Sequence, residues 1–342
     1  MTTSERLVFV LPPENELVSG GNLYNRQLVD AVRRRRPIEE VTEERWAALV
    51  AAGERAIYLV DTVSLERFLP VTPRAGQRFL LVVHHLPSLE PGLSDGDPSL
   101  AVERAALPRF DGFVVTSSYT ASHLRAGGHL QPCITVRPAL PERPRPPLEH
   151  RPGVRALLVA NLIPRKGVVP FVRALAAALR PGDQLTVDVV GRDDLDPACA
   201  AECARAVREA GLDGGVEAVV RLRGVVPYEG MDALYRDASL LVSTSQMETF
   251  GMALQEARAY GVPILACRGG NASAHVEHGI TGALYETVGE LVDGMLELVR
   301  APDRMQQLFI AAQSLRTGSE YTWAAAAGDF LRQLGDFERA DR

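Results

Sequence analysis

Lysine is almost absent from this 342-residue chain: of its 37 basic residues only Lys166 is a lysine, and the other 36 are arginines. An arginine offers a planar fork of donors, whereas a lysine offers a compact, strongly hydrated point charge. The single lysine is therefore either an accident of composition or a site that needs an ammonium group. It follows an apolar, strand-like run and precedes Gly167 and a helical pattern, which is where α/β proteins hold phosphates. This position favours the functional interpretation.

Other absences exclude whole classes of protein. No apolar run approaches the ~18–20 residues of a membrane helix, so no membrane contact is expected. The chain enters strand-like sequence too early for a signal peptide, and its four cysteines are scattered without a CxxC pair, which predicts free thiols and a cytoplasmic location. The net charge of −6 argues against a nucleic-acid partner. The basic run Arg33–Arg36 is interpreted as a solvated helix end rather than a lipid-binding patch, because Glu39 and Glu40 follow it.

Short β-rich segments alternate with helical stretches along the chain, which predicts α/β structure with parallel sheets. The predicted strands are Leu7–Leu11, Ala56–Val60, Phe79–Val83, Gly112–Thr116, Ile134–Arg137, Arg155–Ala160, Gln184–Val190, Val219–Arg223, Leu240–Thr244 and Pro263–Ala266. The predicted helices are Tyr24–Arg35, Val169–Leu179, Pro197–Ala210, Tyr228–Arg236, Gly251–Tyr260, Val288–Val299 and Trp323–Glu338.

A proline-rich segment separates two such alternations. Five of the ten residues from Pro138 to Pro147 are prolines, which can neither continue a helix nor donate to a sheet. The sequence therefore predicts two doubly wound domains, residues 1–148 and 149–322, joined by a stiff linker. Two domains of this kind imply a cleft between them, with ligands at the loops that follow the strands.

Two of these loops carry candidate ligand-binding residues. Gly20 and Gly21 follow the first strand and permit close approach of a ligand to the backbone, although a purely structural turn explains them equally well. Arg165 and Lys166 follow the first strand of the second domain. A guanidinium beside an ammonium suits a diphosphate, and the alternative is an ordinary exposed basic pair.

The segment Ser243–Pro263 contains the strongest candidate site. Glu248 precedes a helix whose open amino terminus favours a phosphate or a partly negative sugar oxygen. The amides of that terminus belong to Thr249, Phe250, Gly251 and Met252. Glu256 lies about two turns further on, and a carboxylate accepts hydrogen bonds from pairs of sugar hydroxyls. The alternatives are a capping role for Glu248 and a solvated helix face for Glu256.

With Thr-Phe-Gly between them, Glu248 and Glu256 resemble the E-x7-E signature of the retaining glycosyltransferases of family 4, which have the GT-B fold of two facing Rossmann-like domains. The resemblance extends over most of the chain. Further matching segments are Ser19–Gly21, Val83–Leu86, Val114–Ser118, Arg221–Val226 and Tyr321–Trp323. The last of these implies that residues 323–342 form a helix crossing back to the amino-terminal, acceptor-side domain.

The resemblance implies a retaining, metal-independent transfer of a hexose-type sugar from a UDP- or GDP-linked donor to an unidentified acceptor, with small metabolites favoured. No cofactor or metal is expected, and the protein is expected to be a monomer or homodimer. The expected catalytic residues are Lys166, Arg165, Glu248 and His84. The expected donor-binding residues are Gly20, Gly21, Arg165, Lys166, Val226, Glu248, Thr249, Phe250, Gly251, Met252 and Glu256. The expected acceptor-binding residues are His84, His85 and Asn22.

This sequence departs from the family pattern at two positions and leaves other interpretations open. Asn161 stands where many members have arginine, and Ala274 lies where a glutamate is frequent. A nucleotide-sugar-binding protein without transferase activity, or a phosphorylase- or epimerase-type enzyme of the same fold, remains an alternative. A dehydrogenase is disfavoured because no GxGxxG follows a strand. Asp194 and Asp196 match a metal-binding DxD but are better explained by a helix cap.

Overall fold

The computed structural model describes residues 5–13, 19–142, 145–149, 151–214, 219–317 and 321–340. They form two compact units, Met1–Pro141 with Tyr321–Arg342, and Glu142–Glu320. These are called the first and second unit below. Residues 143 and 144 of the predicted proline-rich linker lie outside the described residues, and the described remainder of that linker contains neither helix nor strand.

The first unit is built on a six-stranded parallel sheet with the strand order β2-β1-β3-β4-β5-β6. Its strands are β1 (Leu7–Val10), β2 (Glu39–Val41), β3 (Ala56–Asp61), β4 (Gln77–Val83), β5 (Gly112–Val115) and β6 (Cys133–Thr135). Its helices are α1 (Gly20–Arg33), α2 (Glu43–Ala51), α3 (Leu65–Phe68), α4 (Pro98–Ala106), α5 (Ser118–Ala126) and, from the end of the chain, α12 (Trp323–Ala340). The central strands β3 and β4 are buried along their whole length, as expected where helices cover both faces of a parallel sheet.

The carboxy-terminal helix α12 belongs to the core of the first unit. Its buried residues recur every three or four positions and so form one helical face. They are Ala326, Ala327, Phe330, Leu334 and Phe337. They pack with residues of α1 and with the inner strands in one hydrophobic cluster. The last helix of the chain therefore completes the unit that the first strand begins.

The second unit repeats the architecture with the strand order β12-β11-β10-β7-β8-β9. Its strands are β7 (Val154–Val159), β8 (Leu185–Val190), β9 (Val220–Gly224), β10 (Leu240–Ser243), β11 (Ile264–Cys267) and β12 (Gly282–Tyr285). Its helices are α6 (Val168–Ala178), α7 (Pro197–Glu209), α8 (Met231–Asp237), α9 (Met252–Tyr260), α10 (Val288–Arg300) and α11 (Pro302–Ser314). All strand pairs are parallel, so every strand's carboxyl end lies at the same edge of the sheet.

Two parallel sheets with flanking helices confirm the predicted fold class, while several local predictions need correction. The sequence pattern does not predict the short strands β2 and β12 or the helices α2, α3, α4, α5 and α11. The first helix begins at Gly20 and not at Tyr24, so the two glycines lie in a helical turn rather than in a loop. Asp196 caps α7 by accepting from the Cys199 amide at 2.9 Å, as its position before Pro197 predicts.

Candidate active site

Lys166 lies at the carboxyl edge of the second unit's sheet. β7 is followed by a single 3-10 turn, Pro164–Lys166, and then by α6. Gly167 joins the turn to the helix with φ = +67°, and a Cβ atom added there would lie 2.4 Å from the carbonyl oxygen of Thr244. Glycine is therefore required on both conformational and steric grounds. The Thr244 hydroxyl donates to the Lys166 carbonyl at 2.6 Å, which ties this turn to the end of β10.

The Lys166 ammonium is paired with Glu248. Nζ lies 2.6 Å from Glu248 Oε1 and 3.3 Å from the Ser245 hydroxyl oxygen. The two charged side chains are only 16% and 18% exposed, so the pair is largely removed from solvent. The simple alternative of an ordinary exposed basic pair is therefore wrong for Lys166.

The charged form of Glu248 is favoured although the side chain is largely buried. Burial alone would raise the pKa of this carboxyl, but the charge and hydrogen bond of Lys166 outweigh it, assisted by Ser245 and by the charge of Arg165. The net effect is a pKa below the usual glutamate value. A carboxylate held in this way can only accept hydrogen bonds, from an ammonium or from hydroxyl groups.

The loop that carries Glu248 is fixed by its backbone carbonyls. The Asn271 backbone amide donates to the Glu248 carbonyl at 2.6 Å, and the Asn271 side-chain amide donates to the Phe250 carbonyl at 2.9 Å. His275 Nε2 lies 2.6 Å from the same Phe250 oxygen and therefore carries the proton. Burial lowers the pKa of His275 to about 4, so the ring is neutral near pH 7.

Glu256 lies on α9, whereas Thr249 and Phe250, whose amides were expected at the helix terminus, lie in the loop that precedes it. Gly251 caps this helix with φ = +89°, and Met252 is its first helical residue. Glu256 is 8% exposed, so the alternative of a solvated helix face is wrong. The Tyr235 hydroxyl lies 3.4 Å from the Ala253 carbonyl oxygen of α9 and also interacts with the Glu256 carboxylate. Burial first, and then the Glu256 charge and hydrogen bond, raise the pKa of Tyr235 well above its ordinary value.

Asn161 and the neighbouring arginines have distinct tasks. The Asn161 side-chain oxygen accepts from the Arg192 backbone amide at 3.1 Å and so fixes the turn that follows β8. The Arg192 side chain is buried and makes two 2.8 Å bonds to Asp194. Within the described part of the second unit, the Arg165 side chain makes no hydrogen bond or ion pair, and only its charge acts on Glu248. Arg165 is therefore the guanidinium available to an anionic ligand.

Val226, one of the expected donor-binding residues, follows β9. It packs against a hydrophobic cluster that includes Met231 and Tyr235 of α8. A cavity of about 280 Å³ opens nearby, between the ends of β8 and β9 and the start of α7. Leu162, Gly191, Asp193, Leu222 and Gly224 are among its lining residues. The base-binding role of Val226 remains a prediction.

The candidate residues of the first unit surround the end of β4. His84 Nε2 lies 2.8 Å from Asn25 Oδ1 and 3.3 Å from Asp61 Oδ2. A Cβ atom on Gly21 would lie 3.1 Å from the His84 ring, so the second glycine makes room for the histidine. The roles predicted for Gly20 and Gly21 at the donor stay predictions.

The two remaining acceptor-side candidates already have intramolecular contacts. His85 Nε2 lies 3.3 Å from Glu90 Oε2. The backbone amide of Asn22 donates to the capping hydroxyl of Ser19 at 3.1 Å, so this amide is used in starting α1. Any acceptor contact of Asn22 would therefore involve its other polar groups.

Several residues near these sites escape prediction from the sequence. Ser245, Asn271, Asp61 and Asn25 meet the predicted residues only through the fold. His275, which is not among the predicted site residues, holds the Phe250 carbonyl. Over the described ranges, no group of three or more His, Cys, Asp or Glu side chains could hold a metal ion, and no helix is long and apolar enough to span a membrane.

The chain matches a protein-family model, curated proteins and solved structures. Residues 153–301 match the family described as glycosyl transferases group 1. D-inositol 3-phosphate glycosyltransferase of Frankia alni is 29% identical over 205 residues, 58% of this chain and 49% of that protein. A GDP-mannose-dependent alpha-(1-6)-phosphatidylinositol monomannoside mannosyltransferase of Mycobacterium tuberculosis is 29% identical over 202 residues, 56% of this chain and 50% of that protein. The matched region thus spans about half the length of each of these two relatives.

Solved structures resemble the chain over nearly its full length. HepE of Anabaena in complex with UDP-glucose gives a TM-score of 0.75 at 18% identity, covering 97% of this chain and 100% of that one. Sucrose-phosphate synthase of Thermosynechococcus elongatus gives 0.73 at 19% identity, with the same two coverages. At this level of identity the likeness establishes the shared fold.

Proposed function

We propose that the chain is a family 4-like glycosyltransferase. It would transfer a hexose-type sugar from a UDP- or GDP-linked donor to a small-molecule acceptor, with retention at the anomeric carbon and without a metal. The observation that carries the proposal is the largely buried pair of Lys166 and Glu248 at the carboxyl edge of the second unit's sheet. The named relatives include a GDP-mannose-dependent enzyme and a UDP-glucose complex, which supports a nucleotide-sugar donor.

The leaving diphosphate is stabilised by cations and amides of the second unit. Lys166 exchanges Glu248 for diphosphate oxygens, and the uncommitted Arg165 adds a fork of donors. The amino terminus of α9, which begins at Met252, supplies the positive end of the helix dipole, and the loop of Thr249–Gly251 before it supplies further backbone amides. Charges already in place need no reorganisation as the bond breaks, which is the main source of this kind of stabilisation.

The carboxylates hold the donor. Once Lys166 turns to the diphosphate, Glu248 can accept from a hydroxyl of the donor sugar, and Glu256 accepts from the ribose hydroxyls. The two loop contacts to the Phe250 carbonyl keep the Glu248 backbone in place during this exchange. Val226 lies beside the nucleobase.

The reaction exchanges one bond at the anomeric carbon for another. The bond from that carbon to the diphosphate oxygen breaks with its electron pair going to the diphosphate. A hydroxyl oxygen of the acceptor forms the new bond on the same face, and its proton passes to the leaving phosphate oxygen. His84, His85 and Asn22 of the first unit are assigned to substrate hydroxyls.

A ligand screen followed by turnover measurements tests the proposal. Thermal unfolding is measured with UDP, GDP, TDP and ADP and with their sugars, and we expect one nucleotide to raise the melting temperature. Absence of a shift with all of them would overturn the donor assignment. With the matching donor, Lys166→Ala should lower kcat by about 10²–10³-fold, the scale of one lost preorganised donor. Arg180→Ala, a basic residue at the far end of α6, serves as the control, and near-normal turnover of Lys166→Ala would contradict the assignment.

A further inference from the structure

A buried carboxylate and a buried amide lie behind His84 in the first unit. Asp61 ends β3 and is 2% exposed, and Asn25 on α1 is also 2% exposed. Asn25 Nδ2 donates to Asp61 Oδ2 at 2.6 Å. The other carboxylate oxygen accepts from the Val63 amide at 3.0 Å and so caps the turn that follows the strand. Neither residue belongs to the set predicted from the sequence.

The hydrogen bonds around Asp61 determine the orientation of the Asn25 amide. A carboxylate can only accept, so the NH2 group of Asn25 must face Asp61 and its oxygen must face His84. Burial alone would raise the pKa of Asp61, but its interaction with His84 and the hydrogen bonds from the Val63 amide and Asn25 bring it below the usual value. Asp61 is therefore ionised near neutral pH, as this orientation requires.

The proton on the His84 ring follows from the same contacts. Nε2 faces two acceptors, Asn25 Oδ1 at 2.8 Å and Asp61 Oδ2 at 3.3 Å, so Nε2 carries hydrogen. In the neutral ring Nδ1 is then an acceptor. Among the described residues of the first unit, Nδ1 has no hydrogen-bond partner, and the ring keeps 16% of its side-chain surface exposed.

We infer that Asp61 and Asn25 are positioning residues that hold His84 as the Nε2–H tautomer, so that Nδ1 accepts a hydrogen bond from a substrate hydroxyl. The packing around the ring agrees with a fixed orientation. A Cβ atom added to Gly21 would lie 3.1 Å from Cδ2 of the His84 ring. Tyr24 packs edge-on against the same ring, with 5.3 Å between the ring centroids. The substrate part of the inference rests on the proposed function; the tautomer does not.

Nitrogen-detected NMR on protein labelled at histidine tests the inference directly. His84→Gln assigns the signals, and we expect wild-type His84 to carry its proton on Nε2. Asp61→Asn should weaken that preference, because the new amide can present NH2 to the ring. Glu103→Gln is the matched control, since Glu103 is equally buried in the same unit but bonds to Ser88. A wild-type ring protonated on Nδ1 would overturn the inference, even if the Asp61 variant failed to fold.

Turnover separates this inference from the proposed function. Asp61→Asn and Asn25→Ala should each lower kcat/KM by about tenfold or more, the scale of one lost hydrogen bond to a charged or buried group, while Glu103→Gln stays near wild type. Normal turnover of His84→Ala would overturn the substrate role of the ring and leave the proposed function intact. If wild-type protein transferred no sugar from any donor, the proposed function would fall, and the tautomer result would still stand on its own.

Discussion

Replacing Glu248 by glutamine should strengthen the binding of a nucleoside diphosphate while weakening sugar transfer. The Lys166 ammonium is neutralised by the Glu248 carboxylate 2.6 Å away. A diphosphate that reaches the same lysine must displace this partner and bring its own negative charge close to Glu248. Glutamine removes the competing charge at nearly constant volume, so the two effects should separate in one variant.

The expected gain follows from the burial of the pair. Two unit charges about 5 Å apart interact by about 3 kcal/mol at an effective dielectric constant of 20. The side chains keep 16% and 18% of their surface exposed, so solvent reduces this value. A net gain of about 1.4 kcal/mol, or tenfold in Kd, is therefore expected for UDP or GDP.

Isothermal titration calorimetry with UDP and GDP measures the effect. Asp183→Asn provides a matched control, because Asp183 forms a 2.7 Å pair with Arg300 just before β8, at the opposite edge of the same sheet. The control should lower the free energy of unfolding and leave diphosphate affinity unchanged. Raising the salt concentration should shrink the difference between wild type and Glu248→Gln, since the competing interaction is electrostatic.

Turnover supplies the second half of the test. With the intact donor, Glu248→Gln should lower kcat by about 10²-fold, because the charged acceptor for the sugar hydroxyl is lost. Weaker diphosphate binding by this variant than by wild type would refute the idea that Glu248 and the ligand compete for Lys166. An equal gain in diphosphate affinity in the Asp183→Asn control would show that the effect does not come from the charge next to Lys166.

Three further predictions concern residues around the site. Gly167→Ala should lower the free energy of unfolding by at least 1–2 kcal/mol more than Gly182→Ala, by denaturant titration, because both glycines have positive φ but only Gly167 also meets a backbone oxygen at 2.4 Å. The pKa of His275 falls from 6.5 to about 4 on folding. The free energy of unfolding should therefore decrease by up to about 3 kcal/mol as the pH drops between those values. His275→Gln should remove this part of the acid sensitivity. Tyr235→Phe should raise the donor KM about fivefold in steady-state assays, because it removes the hydroxyl that orients Glu256; an unchanged KM would contradict that role.

The sequence predicts the fold best where burial dictates composition. β4 has five consecutive apolar residues and β8 has four apolar residues out of six, and the predicted bounds of both strands agree with the structure to within two residues. β2 is a three-residue edge strand that reads Glu-Glu-Val, and it pairs with β1 through the backbone and through an ion pair between Arg6 and Glu39. A charged segment of that length carries no periodic signal, so it was missed.

The candidate site was predicted as separate residues and not as contacts. Lys166 and Glu248 are 82 positions apart in the chain, and their 2.6 Å contact depends on the adjacent ends of β7 and β10. The residues that fix the backbone of the site belong to no sequence motif. Asn271 is not among the predicted residues, although its backbone and side-chain amides both bind the loop that carries Glu248.

Asn161, at the position where many family members have arginine, has a structural role in place of the positive charge. Its side-chain oxygen holds the backbone of the turn after β8. The arginine of that turn, Arg192, is held bidentately by Asp194 and does not replace the missing charge. Arg165 remains the cation beside Lys166 that could compensate, which agrees with the charge it exerts on Glu248.

The survival of a single lysine in an arginine-rich chain then has a physical explanation. Under the proposed function, the cation at position 166 must leave a carboxylate and bind a diphosphate in every catalytic cycle. An arginine would grip Glu248 through two parallel hydrogen bonds, and breaking such a fork costs more than turning an ammonium with three rotatable donors. Lys166 makes one short bond to Glu248 and a longer one to Ser245, so it can exchange partners without releasing a bidentate pair. The site therefore favours an ammonium at the one position where a cation must change its partner.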